Sequence, residues 1–138
     1  MQVDDGSHMQ IGEVAQRTEL SIRTVRHYDD VGLVTPSARS VGGFRLYTQA
    51  DVERLLVIRR MKPLNFTLAE MKDLLAALDV LDDPEASDSA RRSAAEFLRE
   101  CHAKAEQSCA TLRRHLTFAE ELTTLLSTRG EAISHPAR

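Results

Sequence analysis

The chain has 138 residues, 42% of them hydrophobic, with four Phe, two Tyr and no Trp. That length suits one domain, or a small domain with an extended element, and excludes a multidomain enzyme. Leucine and alanine dominate, which favours helix over strand, and the scarcity of aromatics predicts a thin core that gains from a partner. The formal charge of -3 argues at first against a polyanionic ligand.

Residues 1–8 are polar and aperiodic, and Gly6-Ser7-His8-Met9 matches a cloning remnant, so they are expected to form a tail outside the fold. Gly12 is read as the cap of a first helix over residues 13–18, with Val14 and Ala15 facing inward. Ser21 caps a second over residues 22–31, and Gly32 closes it. Two short helices across a tight turn form a helix-turn-helix. Gly42-Gly43, between Val41 and Phe44-Arg45-Leu46-Tyr47, predicts a β-hairpin, which directly after a recognition helix is a wing.

Thr48-Gln49-Ala50-Asp51 resembles a capping box and opens a third helix to about Met61, ended by Pro63. Thr67-Leu68-Ala69-Glu70 opens a fourth, with Met71, Leu74, Leu75 and Leu78 in one stripe. Residues 87–128 contain neither Gly nor Pro and predict one helix about 63 Å long. Along it Leu98, Ala105, Leu112, Ala119 and Leu126 recur every seven residues. A second line carries His102, Cys109, Leu116 and Thr123, and a third Cys101, Ser108, His115 and Leu122. A helix longer than a compact domain needs another long helix to bury such a seam, so Leu98, Ala105, Leu112, Leu116, Ala119 and Leu126 are expected to dimerise.

The fold expected is mainly α: a winged helix-turn-helix domain over residues 9–80, a connector over 81–86, a dimerisation helix over 87–129 and a tail over 130–138. The longest apolar run, residues 74–78, is too short to cross a bilayer, and no signal peptide is recognisable. A cytoplasmic protein with reduced thiols is expected.

Divided by region, the charge reads differently. Residues 9–62 carry a balance of +3, whereas residues 63–138 carry -4. Arg23, Arg26 and His27 share one face of the second helix, with Thr24 and Tyr28 adjacent, and Arg39, Arg45 and Tyr47 mark the hairpin. Guanidinium groups suit phosphates and guanine edges, so these residues are candidate contacts to double-stranded DNA. Arg59, Arg60 and Lys62 are divided between phosphate contact and ordinary surface.

These residues resemble the MerR family of bacterial transcription regulators. The resemblance rests on Ile11-Gly12-Glu13-Val14-Ala15, Leu20-Ser21 and Thr24-Val25-Arg26-His27-Tyr28. It continues through Gly32-Leu33-Val34, Pro36, Arg39 and Gly43-Phe44-Arg45-Leu46-Tyr47 to Asp51-Val52 and Asn65-Phe66-Thr67-Leu68-Ala69-Glu70-Met71. It implies a homodimer with antiparallel long helices that binds a promoter palindrome and distorts it, so that RNA polymerase engages both promoter elements. Three residues depart from the usual pattern: Glu19 and Asn65 stand where Gly is common, and His27 replaces an aromatic.

The effector is unidentified, and no cofactor is expected. Cys101 and Cys109 lie within one helical pattern, about 12 Å and 80° apart, too far for one metal without the partner protomer. They are read as structural thiols, with a redox switch or a metal site as alternatives; His135 alone offers a ligand in the tail. His102 with Glu106 fits a helix surface as well as an acid–base pair, and Gly42-Gly43 is too short for a phosphate loop, so no enzyme is expected. A ligand-independent repressor or architectural DNA-binding protein is the alternative function.

Overall fold

A computed structural model describes residues 8–134; most of the expected N-terminal tail, and His135 and Pro136, lie outside them. The architecture is mainly α, with a helix-turn-helix, a small sheet and a long C-terminal helix. The chain divides into two units, one ending at Arg99 and the other starting at Glu100.

In the first unit, strand β1 (Met9–Gln10) leads into α1 (Ile11–Thr18). The N-cap of α1 is Gln10, in extended conformation and without a side-chain capping bond, and Gly12 lies inside the helix. This corrects the cap assigned to Gly12: strand pairing delivers the chain to Ile11 already poised for the first turn. Glu19 ends α1 in the left-handed region at φ 58°, which costs a residue with a Cβ on the order of 1 kcal/mol. Arg59 supports this turn, its Nη1 donating to the Thr18 carbonyl at 2.7 Å and lying 3.7 Å from Glu19 Oε1. An otherwise orphaned helix-end carbonyl is thereby satisfied.

Helix α2 (Ile22–Asp30) starts at Ser21, whose hydroxyl accepts from the Thr24 amide at 3.0 Å. It ends with Gly32 at φ 73°, the Gly32 amide donating to Asp29 O and the Leu33 amide to Tyr28 O. Those two bonds form a Schellman motif, which fixes where the recognition helix stops. The chain then forms β2 (Ala38–Arg39) and β3 (Arg45–Tyr47). The sheet order is β1-β3-β2, all antiparallel, with Met9 opposite Tyr47 and Arg39 opposite Arg45.

Reciprocal capping boxes open α3 (Gln49–Met61), through Thr48 and Asp51, and α4 (Leu68–Asp82), through Thr67 and Glu70. A 3-10 turn over Lys62–Leu64 separates them, and Asn65 follows at φ 66°, a conformation its short polar side chain tolerates. The core gathers Val14 and Thr18 of α1, Val25 of α2, Tyr47 of β3, and Leu55 and Ile58 of α3, all fully buried. Each large aliphatic among them contributes roughly 1.5–3 kcal/mol by leaving water. The Thr18 hydroxyl donates to Val14 O at 2.8 Å, so its burial leaves no unmet donor.

Helix α5 (Asp88–Ser134) is 47 residues long and opens at Ser87, whose Oγ accepts from the Ala90 amide at 3.1 Å. It continues through Gly130 to Ser134, past the expected end at 129 and into the segment read as a tail. One glycine costs a helix about 1 kcal/mol and does not stop one of this length. In the second unit, Leu112, Leu116, Leu122 and Leu126 are all at least 45% exposed. Phe118 and Leu125 are also exposed.

Candidate nucleic-acid interface

Helix α2 is two-sided. Val25 and Tyr28 are buried beneath it, while Arg23, Arg26 and His27 stand exposed on the other side. Neither Arg23 nor Arg26 has an ion pair among the described residues, so their guanidinium groups are available to an external anion. The cap at Ser21 and the motif at Gly32 hold both ends of the helix, so these side chains leave a rigid base. Thr24 is half-buried and shares a 2.9 Å hydrogen bond with Ser21 Oγ, which ties it to the cap. The His27 ring lies 6.0 Å from that of Tyr28, tilted by 45°.

Two expected contact residues are corrected. Tyr28 is only 4% exposed and Tyr47 is fully buried, so both belong to the core of this chain and neither offers a surface to DNA. Tyr47 is covered where β1 pairs with β3, a strand too short to leave a periodic trace in the sequence. Its hydroxyl is buried without a hydrogen-bond partner among the described residues. Burial, with a smaller contribution from Asp29, raises the Tyr47 pKa above the ordinary phenol value.

Tyr47→Phe removes an unsatisfied buried polar group and is expected to leave stability unchanged or to raise it by about 1 kcal/mol, with DNA affinity unaltered. The sign in alkali follows from the raised pKa. Tyr47 contributes fully below the unfolded value near pH 10, and that contribution is lost as pH rises through the higher folded value. The Phe variant should lack this alkaline loss. Urea unfolding between pH 7 and 11 checks the prediction, and a tenfold fall in DNA affinity would contradict the burial.

The wing arginines are engaged. Arg45 Nε donates to Asp29 Oδ2 at 2.7 Å, Arg39 Nη2 donates to the same oxygen at 3.4 Å, and Arg45 Nη2 lies 3.8 Å from Asp30 Oδ1. The hydrogen bond to Asp29 raises the Arg45 pKa, fixing its charge more firmly. Arg39 remains half exposed. The hairpin tip is closed by Ser40 N to Phe44 O and Gly43 N to Ser40 O, both 2.9 Å, and presents Val41 and Phe44 to solvent. At the wing's root Ser37 Oγ donates to Asp51 Oδ2 at 2.6 Å, and Asp51 also accepts from the Thr48 amide.

Arg60 and Lys62 are exposed, at the end of α3 and in the following turn, without ion pairs among the described residues. Arg59 is held by the α1–α2 turn instead. Asp29 and Arg59 were not foreseen as organising residues, and Asp51, expected only as the acid of a capping box, also anchors the wing through Ser37. A hint existed for Asp29, because an acid in a helix's last turn opposes the dipole and calls for a partner.

Of the expected dimerisation residues, Leu98 and Ala105 are half-buried, while Leu112, Leu116, Ala119 and Leu126 are exposed. Cys101 and Cys109 are half-buried, and neither is in a disulfide among the described residues. Among the described residues no group of three or more His, Cys, Asp or Glu converges to hold a metal, and no helix is long and apolar enough to cross a membrane.

Residues 9–78 match the family described as MerR HTH family regulatory protein. An uncharacterized HTH-type transcriptional regulator of Pseudomonas aeruginosa is 32% identical over 127 residues, covering 92% of this chain and 84% of the relative. The HTH-type transcriptional regulator CueR of Vibrio cholerae is 38% identical over 88 residues, 64% of this chain and 61% of CueR. Among solved structures, HiNmlR, a MerR family regulator lacking the sensor domain and bound to promoter DNA, shares the fold. Its TM-score is 0.66 at 20% identity, covering 92% of this chain and 94% of HiNmlR.

Proposed function

This chain belongs to the MerR family of HTH regulatory proteins, and from that premise we propose that it is a homodimeric regulator that binds a promoter palindrome and distorts it to control transcription. The observation that carries the reading is the exposed face of α2, where Arg23, Arg26 and His27 stand opposite the buried Val25 and Tyr28. A rigid helix with unpaired guanidinium groups suits guanine edges and phosphates in a major groove. Arg60 and Lys62 add phosphate contacts, and Arg39 meets the backbone from the wing.

Two-fold symmetry follows from the long helix. Leu98, Ala105, Leu112, Leu116, Ala119 and Leu126 pair with their copies in an antiparallel coiled coil, which sets the distance between the two recognition helices. Distortion of the spacer costs elastic energy, offset by phosphate contacts on both flanks, and brings the promoter elements into register for RNA polymerase. The role is non-catalytic and cytoplasmic, under the control of an unidentified effector. Cys101 and Cys109 serve helix packing in this reading.

Footprinting on the duplex that the protein selects from a random-sequence library tests it. Two protected half-sites related by two-fold symmetry are expected, with altered reactivity between them. Protection of a single half-site, or no selected sequence, would overturn the reading.

A further inference from the structure

We propose that Asp29 is a positioning residue that locks the wing against the recognition helix, raising discrimination between operator and other DNA at the expense of general attraction to phosphate. The inference rests on the DNA-binding reading above. Asp29 is an acid in the last turn of α2, where the helix dipole disfavours it, and it lies on an element that approaches a polyanion. Two unfavourable placements call for a compensating contact, and the structure supplies one. The Asp29 side chain is only 12% exposed and accepts from both Arg45 and Arg39.

The geometry of that contact is specific. Arg39 and Arg45 are register partners across β2 and β3, so one carboxylate grips both strands of the hairpin at the same level. Asp29 itself is fixed by the bonds that end α2 at Gly32. The wing is held independently at its root by the Ser37–Asp51 hydrogen bond. With both attachments in place, the hairpin presents its tip at a set angle to Arg23, Arg26 and His27. The same contact partly neutralises two guanidinium groups that would otherwise attract any duplex. Pre-organisation favours the sequence whose groove and backbone fit that angle, and the reduced charge weakens binding to all others.

Asp29→Asn keeps the size and one acceptor oxygen while removing the charge. Full-length wild type and variant are compared on the duplex selected by wild type from a random library and on a scrambled duplex of equal composition, across a salt series. The ratio of the two affinities is expected to fall at least tenfold, with scrambled-duplex affinity unchanged or higher. The slope of log affinity against log salt should steepen by up to about two, for two freed guanidinium groups. Arg45→Gln should lower the ratio similarly, and the double variant should add little to either single loss. Should Asp29→Asn fail to fold, the ratio for Arg45→Gln decides the matter.

An unchanged ratio, equal loss on both duplexes, or additive losses in the double variant would overturn the role of Asp29. A wild-type protein that does not discriminate between the duplexes would instead overturn the DNA-binding reading, and this inference with it.

Discussion

Replacing Leu116 with lysine is expected to abolish dimerisation at micromolar concentration and to reduce operator affinity more than a hundredfold. Leu116 is 57% exposed on a 47-residue helix, and Leu112 and Leu126 stand on the same face, 45% and 60% exposed. In a two-fold pairing each substitution occurs twice. Burying a leucine contributes about 1.5–3 kcal/mol, so two lost leucines remove roughly 3–6 kcal/mol before the cost of placing two ammonium groups in an apolar seam. That exceeds a hundredfold in the dimer constant. Operator affinity follows, because a monomer engages one half-site and forfeits the second.

The control is Phe118→Lys. Phe118 is as exposed as Leu116 but lies about 200° around the helix from it, and its replacement should leave the dimer intact. Sedimentation equilibrium distinguishes the two. An unchanged dimer constant for the Leu116 variant, or an equal loss for both variants, would remove the seam assignment.

Where local chemistry decides structure, this chain is transparent. Ser21 and the boxes at Thr48–Asp51 and Thr67–Glu70 announce three helix starts because each contact spans only three residues. Gly32 announces the end of α2 for the same reason. What the sequence hides is non-local. Arg45 and Asp29 are 16 residues apart, and nothing in their spacing says that the guanidinium turns to the recognition helix. Tyr47 shares strand parity with Arg45, which places both on one face without saying how deep either lies. The answer comes from β1, two residues long, whose Met9 stands opposite Tyr47. Tyr28 is concealed differently: its three-residue spacing from Val25 marks the core side of α2, while its immediate neighbours in sequence are basic and polar.

Arg26→Ala is expected to weaken binding to the selected duplex by about 1–3 kcal/mol while leaving folding unchanged. Arg26 is exposed and without an ion pair among the described residues, so its truncation removes neither core packing nor a buried contact. Substitutions of that kind alter stability by no more than about 0.5 kcal/mol. The loss in binding should be sequence-dependent, larger on the selected duplex than on a scrambled one, because a guanidinium on a base edge contributes only where the correct base is present. Arg60→Ala provides the contrast. A phosphate contact at the end of α3 carries no sequence information, so its loss should weaken both duplexes alike and reduce the salt slope by about one. Titrations of both variants on both duplexes at three salt concentrations separate the two behaviours. Undiminished affinity in Arg26→Ala would remove α2 from the groove, and a uniform loss with a reduced salt slope would move Arg26 from the base edges to the backbone.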